Sequence, residues 1–205
     1  MASLDFNKYR ALRIQCAKQL TQEARTHHLK QAASLLWQET NGIIAILDID
    51  AKLPYGGGPY LHVNMRLIPL WAVDLLREIL HMPESEPQPV SLLLTEECTF
   101  CGIDLWDANH PIPQYSVDVL RALIAKEAKD FADMLCCITE AEYHSVLSAD
   151  ESWQGTVMRM LVELHSGDFA GAEALLDQLH DADDDLFDTD FDACVREYIA
   201  KKRQE

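Results

Sequence analysis

Apolar positions near the start of the chain recur at three- and four-residue steps: Phe6, Tyr9, Leu12, Ile14, Cys16 and Leu20, then Leu29, Ala32, Ala33, Leu36 and Trp37. That spacing lays one side of an α-helix against a core. No Gly or Pro interrupts it, so it predicts one long helix from Asp5 to about Glu39, or two joined near Thr26–His28. Ser3 or Asp5 can cap the start, and Asn41-Gly42 reads as the stop. Lys8, Arg10, Arg13, Lys18 and Arg25 fall on the complementary face. Such a face is either solvated or a docking surface for acidic residues, in cis or in a second subunit.

The period changes after Gly42. Ile43-Ile44-Ala45-Ile46-Leu47-Asp48-Ile49 is a β-branched apolar run that leads into a Gly/Pro loop at Pro54–Pro59. Beyond it Leu61, Val63 and Met65 alternate with His62, Asn64 and Arg66, the two-residue period of a half-buried strand. These two runs predict an antiparallel pair, with a helix over Asn41–Leu53 as the alternative. Leu70, Val73, Leu76 and Leu80 restore helical spacing between Pro69 and His81. The stretch His81–Pro89 is a linker, and Val90–Leu94 suits a third strand.

From Ser116 to about Ser148, Val117, Leu120, Ile124, Ala128, Phe131, Leu135 and Ile138 run down one helical face. Asp150-Glu151-Ser152 caps another helix, Gly167-Asp168 ends it, and helices over Phe169–His180 and Phe191–Lys202 complete the chain. The fold class expected is α+β and predominantly α-helical. It has a long N-terminal helix, a small antiparallel strand component in residues 42–95 and a helical C-terminal half. Because the linker at 82–89 is short, residues 1–205 read as a single domain; the alternative division is 1–95 mixed α/β and 96–205 helical.

Composition adds compartment and charge. With 205 residues, 48% hydrophobic and 25% charged, the chain can bury its own core. The opening residues carry no apolar secretory segment, and six scattered cysteines do not form a disulfide scaffold. The expectation is a cytoplasmic protein with reduced thiols.

The net charge is −17, and it is uneven. Residues 1–40 hold six basic and three acidic side chains, whereas residues 150–205 hold five basic and fifteen acidic. Seven aspartates fall between positions 181 and 192: Asp181, Asp183, Asp184, Asp185, Asp188, Asp190 and Asp192. Carboxylates so crowded must face water or a cationic partner, since burial would be prohibitive. This charge argues against direct nucleic-acid binding and against anionic membranes, and for a basic protein partner. A homodimer stays open through the basic N-terminal face.

Candidate chemistry is sparse. Cys98-Thr-Phe-Cys101-Gly102 has the spacing of half a zinc knuckle, with His110 the nearest further ligand and Cys136, Cys137 and His144 next. Zinc is the one cofactor this suggests. Asp48-Ile-Asp50 at the end of an apolar strand resembles the first motif of haloacid-dehalogenase-type phosphatases. That resemblance implies Asp48 as nucleophile, Asp50 as proton carrier and Mg²⁺ between them. The continuation Ala51-Lys52-Leu53 departs from the family pattern. Setting Asp181, Asp183 and Asp185 into an EF-hand loop puts Leu186 where Gly is required and Asp192 where Glu is. Residues Leu164–Leu176, with Gly167-Asp168-Phe169, resemble the inter-helix turn of a tetratricopeptide unit, but no second copy exists.

The function expected is therefore non-enzymatic protein–protein interaction through the seven aspartates: a chaperone, adaptor, antitoxin or immunity-type inhibitor for a basic client. Alternatives are a zinc-knuckle binding module on Cys98 and Cys101, a metal-dependent phosphatase-like enzyme on Asp48 and Asp50, and a nucleic-acid mimic.

Overall fold

The N-terminal helix stops well short of the residue its apolar spacing predicts. In the computed structural model, which describes residues 6–53, 58–81, 102–182 and 189–205, helix α1 spans Phe6–Thr26. His28 adopts φ 57°, and the Leu29 N–H reaches back to the Ala24 carbonyl at 2.8 Å. That left-handed residue and its long return bond close the helix as a Schellman motif, with Leu29 buried behind it.

Past α1 the chain turns to strand rather than helix. Strand β1 covers Lys30–Ala32 and β2 covers Leu35–Thr40, paired antiparallel. β2 pairs in turn with β3, Ile43–Lys52, in the register Leu35↔Asp48 to Thr40↔Ile43. Asn41 and Gly42, at φ 49° and 75°, form the two-residue turn between them. Both positions need positive φ, which Asn and Gly tolerate best, so the pair makes a hairpin here rather than ending a helix. Leu35, Leu36 and Trp37 fit either period, and pairing with the apolar β3 decides for strand.

Strand β4, Tyr60–Pro69, alternates buried Leu61, Val63 and Met65 with half-exposed His62, Asn64 and Arg66. Strand β5, Ile103–Pro111, completes a five-stranded sheet in the order β1-β2-β3-β4-β5. The strand component thus extends beyond residues 42–95 on both sides. The expected strand at Val90–Leu94 and the linker at 82–89 lie outside the described residues.

Helix α2 spans Leu70–Ile79, α3 Val117–Leu135, α4 Glu140–Ala149, α5 Trp153–Ser166, α6 Phe169–Ala182 and α7 Thr189–Lys202. The single helix expected over 116–148 is two, α3 and α4. Between them the Asn41 side-chain amide donates to the carbonyl of buried Ile138 at 2.8 Å, which ties this break to the β2–β3 turn. Gly167, at φ 83°, ends α5 as its spacing predicts, and the Asp168 carboxylate accepts the Gly171 N–H at 3.0 Å to start α6.

The chain divides into two units, each built from separated segments: residues 1–67 with 104–139, and 68–103 with 140–205. In the first, α1 and α3 pack on each other and on the sheet, burying Leu12, Leu20, Leu36, Leu47, Ile49, Ile124 and Phe131. In the second, α5 packs against α2, α4 and α6, and α7 against α2 and α6. Its core includes Ile79, Met158, Leu161, Leu176 and Val195.

Candidate functional site

The seven aspartates distribute over the end of α6, the start of α7 and the link between. Asp181 belongs to the last turn of α6 and Asp190 to the first turn of α7 by backbone. Asp183, Asp184, Asp185 and Asp188 lie outside the described residues, as do the side chains of Asp181 and Asp190. Asp192 is described, and it is engaged. Arg196 reaches it at 2.9 Å and also grips Asp177 of α6 at 2.8 Å. These bonds, Asp192 first, raise the Arg196 pKa further and keep it charged at every accessible pH.

A second arginine repeats the arrangement: Arg203 donates two bonds to Glu173, at 2.9 and 2.8 Å. The two stems that carry the acidic link are therefore joined by a pair of guanidinium–carboxylate contacts across α6 and α7. Such exposed pairs contribute little stability singly, but fork geometry fixes orientation. Lys202 is committed as well, to Glu78 at 3.3 Å and Glu205 at 3.1 Å. Arg159, the cation of α5, donates to the Asp150 and Leu147 carbonyls at the α4–α5 connection.

Cys98 and Cys101 lie outside the described residues. His110 sits on β5 with Nε2 3.5 Å from a carboxylate oxygen of Glu127 on α3, close but not aligned for a hydrogen bond. Glu127 is buried, and Lys126 donates to it at 3.1 Å. Among the described residues no three His, Cys, Asp or Glu side chains converge as a metal site requires. Cys136 is exposed at the end of α3, its thiol donating to the Asp133 carbonyl at 2.8 Å, and His144 lies on α4 near Glu140 at 3.9 Å.

Asp48 and Asp50 lie on one face of β3, two residues apart. The Ser34 hydroxyl donates to Asp48 at 2.7 Å across the hairpin, and Asp50 faces a cleft of about 310 Å³. Arg13, Cys16, Ala17 and Leu20 of α1 form its other wall, with Ala33, Ser34 and Ile49. The strand continues through Ala51 and Lys52, and the sheet is an antiparallel meander. The carboxyl ends of its strands are therefore not gathered at one edge, as they are in a parallel α/β sheet. Nothing in the sequence joined Ser34 or Cys16 to Asp48 and Asp50, because the hairpin register and the seating of α1 bring them together.

Burial, and next Asp50, push the Cys16 thiol up to about 11 from 9.0. The folded chain then keeps a proton that the unfolded chain releases first. Stability associated with Cys16 is present below about pH 9 and is lost as pH rises toward about 11, at roughly 1.4 kcal/mol per unit. Urea denaturation across that range should show a shallower loss for Cys16→Ala than for the unaltered chain. Equal slopes would remove the thiol from the account.

No helix among the described residues is long and apolar enough to cross a membrane. No family model matches the chain, and neither the curated proteins nor the solved structures contain a match to it.

Proposed function

We propose that this chain is a non-enzymatic interaction protein of the chaperone, adaptor, antitoxin or immunity-inhibitor kind, working in the cytoplasm. Its acidic segment between α6 and α7 engages a basic protein partner. One observation carries the reading: the local cations are already spent. Of the five basic residues in 150–205, Arg196, Lys202 and Arg203 hold acids outside the 183–188 link, and Arg159 holds carbonyls. Only Lys201 is left, and eleven of the fifteen acids remain once Glu173, Asp177, Asp192 and Glu205 are set aside as paired. Positive charge to match the segment has to come from elsewhere, and electrostatic attraction would make capture fast and salt-sensitive.

The test is affinity capture from native lysate at low and high salt, with the unaltered chain and a variant carrying Lys at Asp183, Asp184, Asp185 and Asp188. Basic proteins retained at low salt should be lost from the variant, by at least about tenfold, while its melting temperature holds or rises. Undiminished capture by the variant sinks the reading.

A further inference from the structure

The exposed side of α1 carries Lys8, Arg10, Arg13, Lys18 and Arg25, while the one acid of the helix, Glu23, is buried. Glu23 is satisfied from within: Gln19 donates to it at 2.5 Å and His27 lies 3.4 Å away. The chain has 34 acids and 17 bases, and several cations outside α1 have an anion beside them. Arg66, Arg77, Lys126, Lys129, Arg196 and Arg203 each have one. Arg10, Arg13, Lys18 and Arg25 form no ion pair among the described residues.

Four exposed residues align. At about 100° per residue, Arg10, Ile14, Lys18 and Arg25 fall within roughly 80° of one another and span about 22 Å along the axis. Ile14, 48% exposed, stands among the cations as an apolar contact point. Beside this row runs a polar groove of about 510 Å³ between α1 and α3, lined by Gln15, Lys18, Gln19, Gln22 and Arg121. Its Arg121 guanidinium donates to the Gln15 side-chain oxygen Oε1 at 2.7 Å and leaves further donors for a carboxylate.

We infer that this face receives an acidic amphipathic helix from a partner protein, with carboxylates on the cation row and an apolar residue on Ile14. This surface and the acidic segment belong to different units and are opposite in charge. A nucleic acid or an anionic membrane is a poorer fit. Both are extended polyanions that meet the whole charge of −17, and the apolar surface offered, Phe6 and Ile14, is too small to insert into lipid. A short helix feels chiefly the local field, because screening cuts attraction and repulsion off within about 8 Å at physiological salt.

The test is fluorescence anisotropy with a labelled helical peptide of about 20 residues, or ~30 Å, carrying Glu around a central Leu on one face. The full chain should bind it, and raising salt from about 0.05 to 0.5 M should weaken binding at least about tenfold. The combined variant Arg10→Glu, Lys18→Glu and Arg25→Glu should lose binding to a similar degree, and the same positions changed to Gln should lie between. Ile14→Asp should weaken it about fivefold, and lysine at Asp183, Asp184, Asp185 and Asp188 should leave it no weaker. Far-ultraviolet circular dichroism confirms that each variant is folded. No binding, or binding indifferent to α1 reversal, overturns the inference. Tighter binding of a DNA duplex or of phosphatidylserine vesicles overturns it too. Salt-sensitive self-association that the α1 variant abolishes would assign the face to a second copy instead.

Discussion

Phe131→Ala is expected to lower stability by about 3–5 kcal/mol, a large share of the 5–15 kcal/mol typical of a native domain. Phe131 has no exposed surface, and it sits on the buried stripe of α3 with Ile124, Ala128 and Leu135, over β2 and β3. Removing the ring forfeits its transfer from water and leaves a cavity that a sheet on one side and a helix on the other cannot readily fill. Phe6→Ala supplies the comparison. That ring is 69% exposed, so the same change should move stability by no more than about 0.5 kcal/mol. Urea denaturation of both variants decides it; similar losses would mean that burial does not govern these positions.

Gly155→Ala should lower stability by about 1–3 kcal/mol although alanine favours a helix by about 1 kcal/mol over glycine. A Cβ at this position in the first turn of α5 would lie 2.6 Å from both the carbonyl oxygen and the Cγ of Asp150. Asp150 is poorly placed to yield. Its carbonyl receives the Arg159 guanidinium, and its carboxylate accepts the Ser152 N–H at 2.8 Å. Moving it would also disturb the Ser152 cap, whose hydroxyl accepts the Gly155 N–H at 3.0 Å. A stabilised Gly155→Ala variant in thermal denaturation would show that the connection relaxes without loss.

Together the two variants probe domain organisation, since Phe131 belongs to the first unit and Gly155 to the second. A chain that unfolds as one domain shows a single transition that both substitutions lower. Two transitions, each sensitive to one substitution, would divide it.

Helices α2, α5, α6 and α7 were legible in the sequence because their apolar stripes end at plain signals, such as Gly167 for α5. β2 was not. Leu35-Leu36-Trp37 satisfies helical and strand spacing alike, and its partner, Ile43–Ile49, comes only after the turn. β5 was hidden by the polar residues of an edge strand: Asp104, Asp107 and Asn109 are exposed, and they weaken its two-residue period. The acidic cluster and the basic face of α1 were visible as composition. The pairing of Arg196 with Asp177 and Asp192, and of Ser34 with Asp48, depends on tertiary contacts that no local pattern encodes.

The interrupted layout of the first unit bears on how the protein is made. Its opening 67 residues emerge from the ribosome well before residues 104–139 deliver β5 and α3. At about 5–20 residues per second, the 72 residues from 68 to 139 take roughly 4–14 s to synthesise. For that interval Ile43–Leu47, buried at every position in the finished fold, lacks α3 above it. The nascent chain therefore passes through a stage at which an apolar β-forming run is open to neighbouring polypeptides. Slower translation between those two points is expected to lower the yield of folded chain.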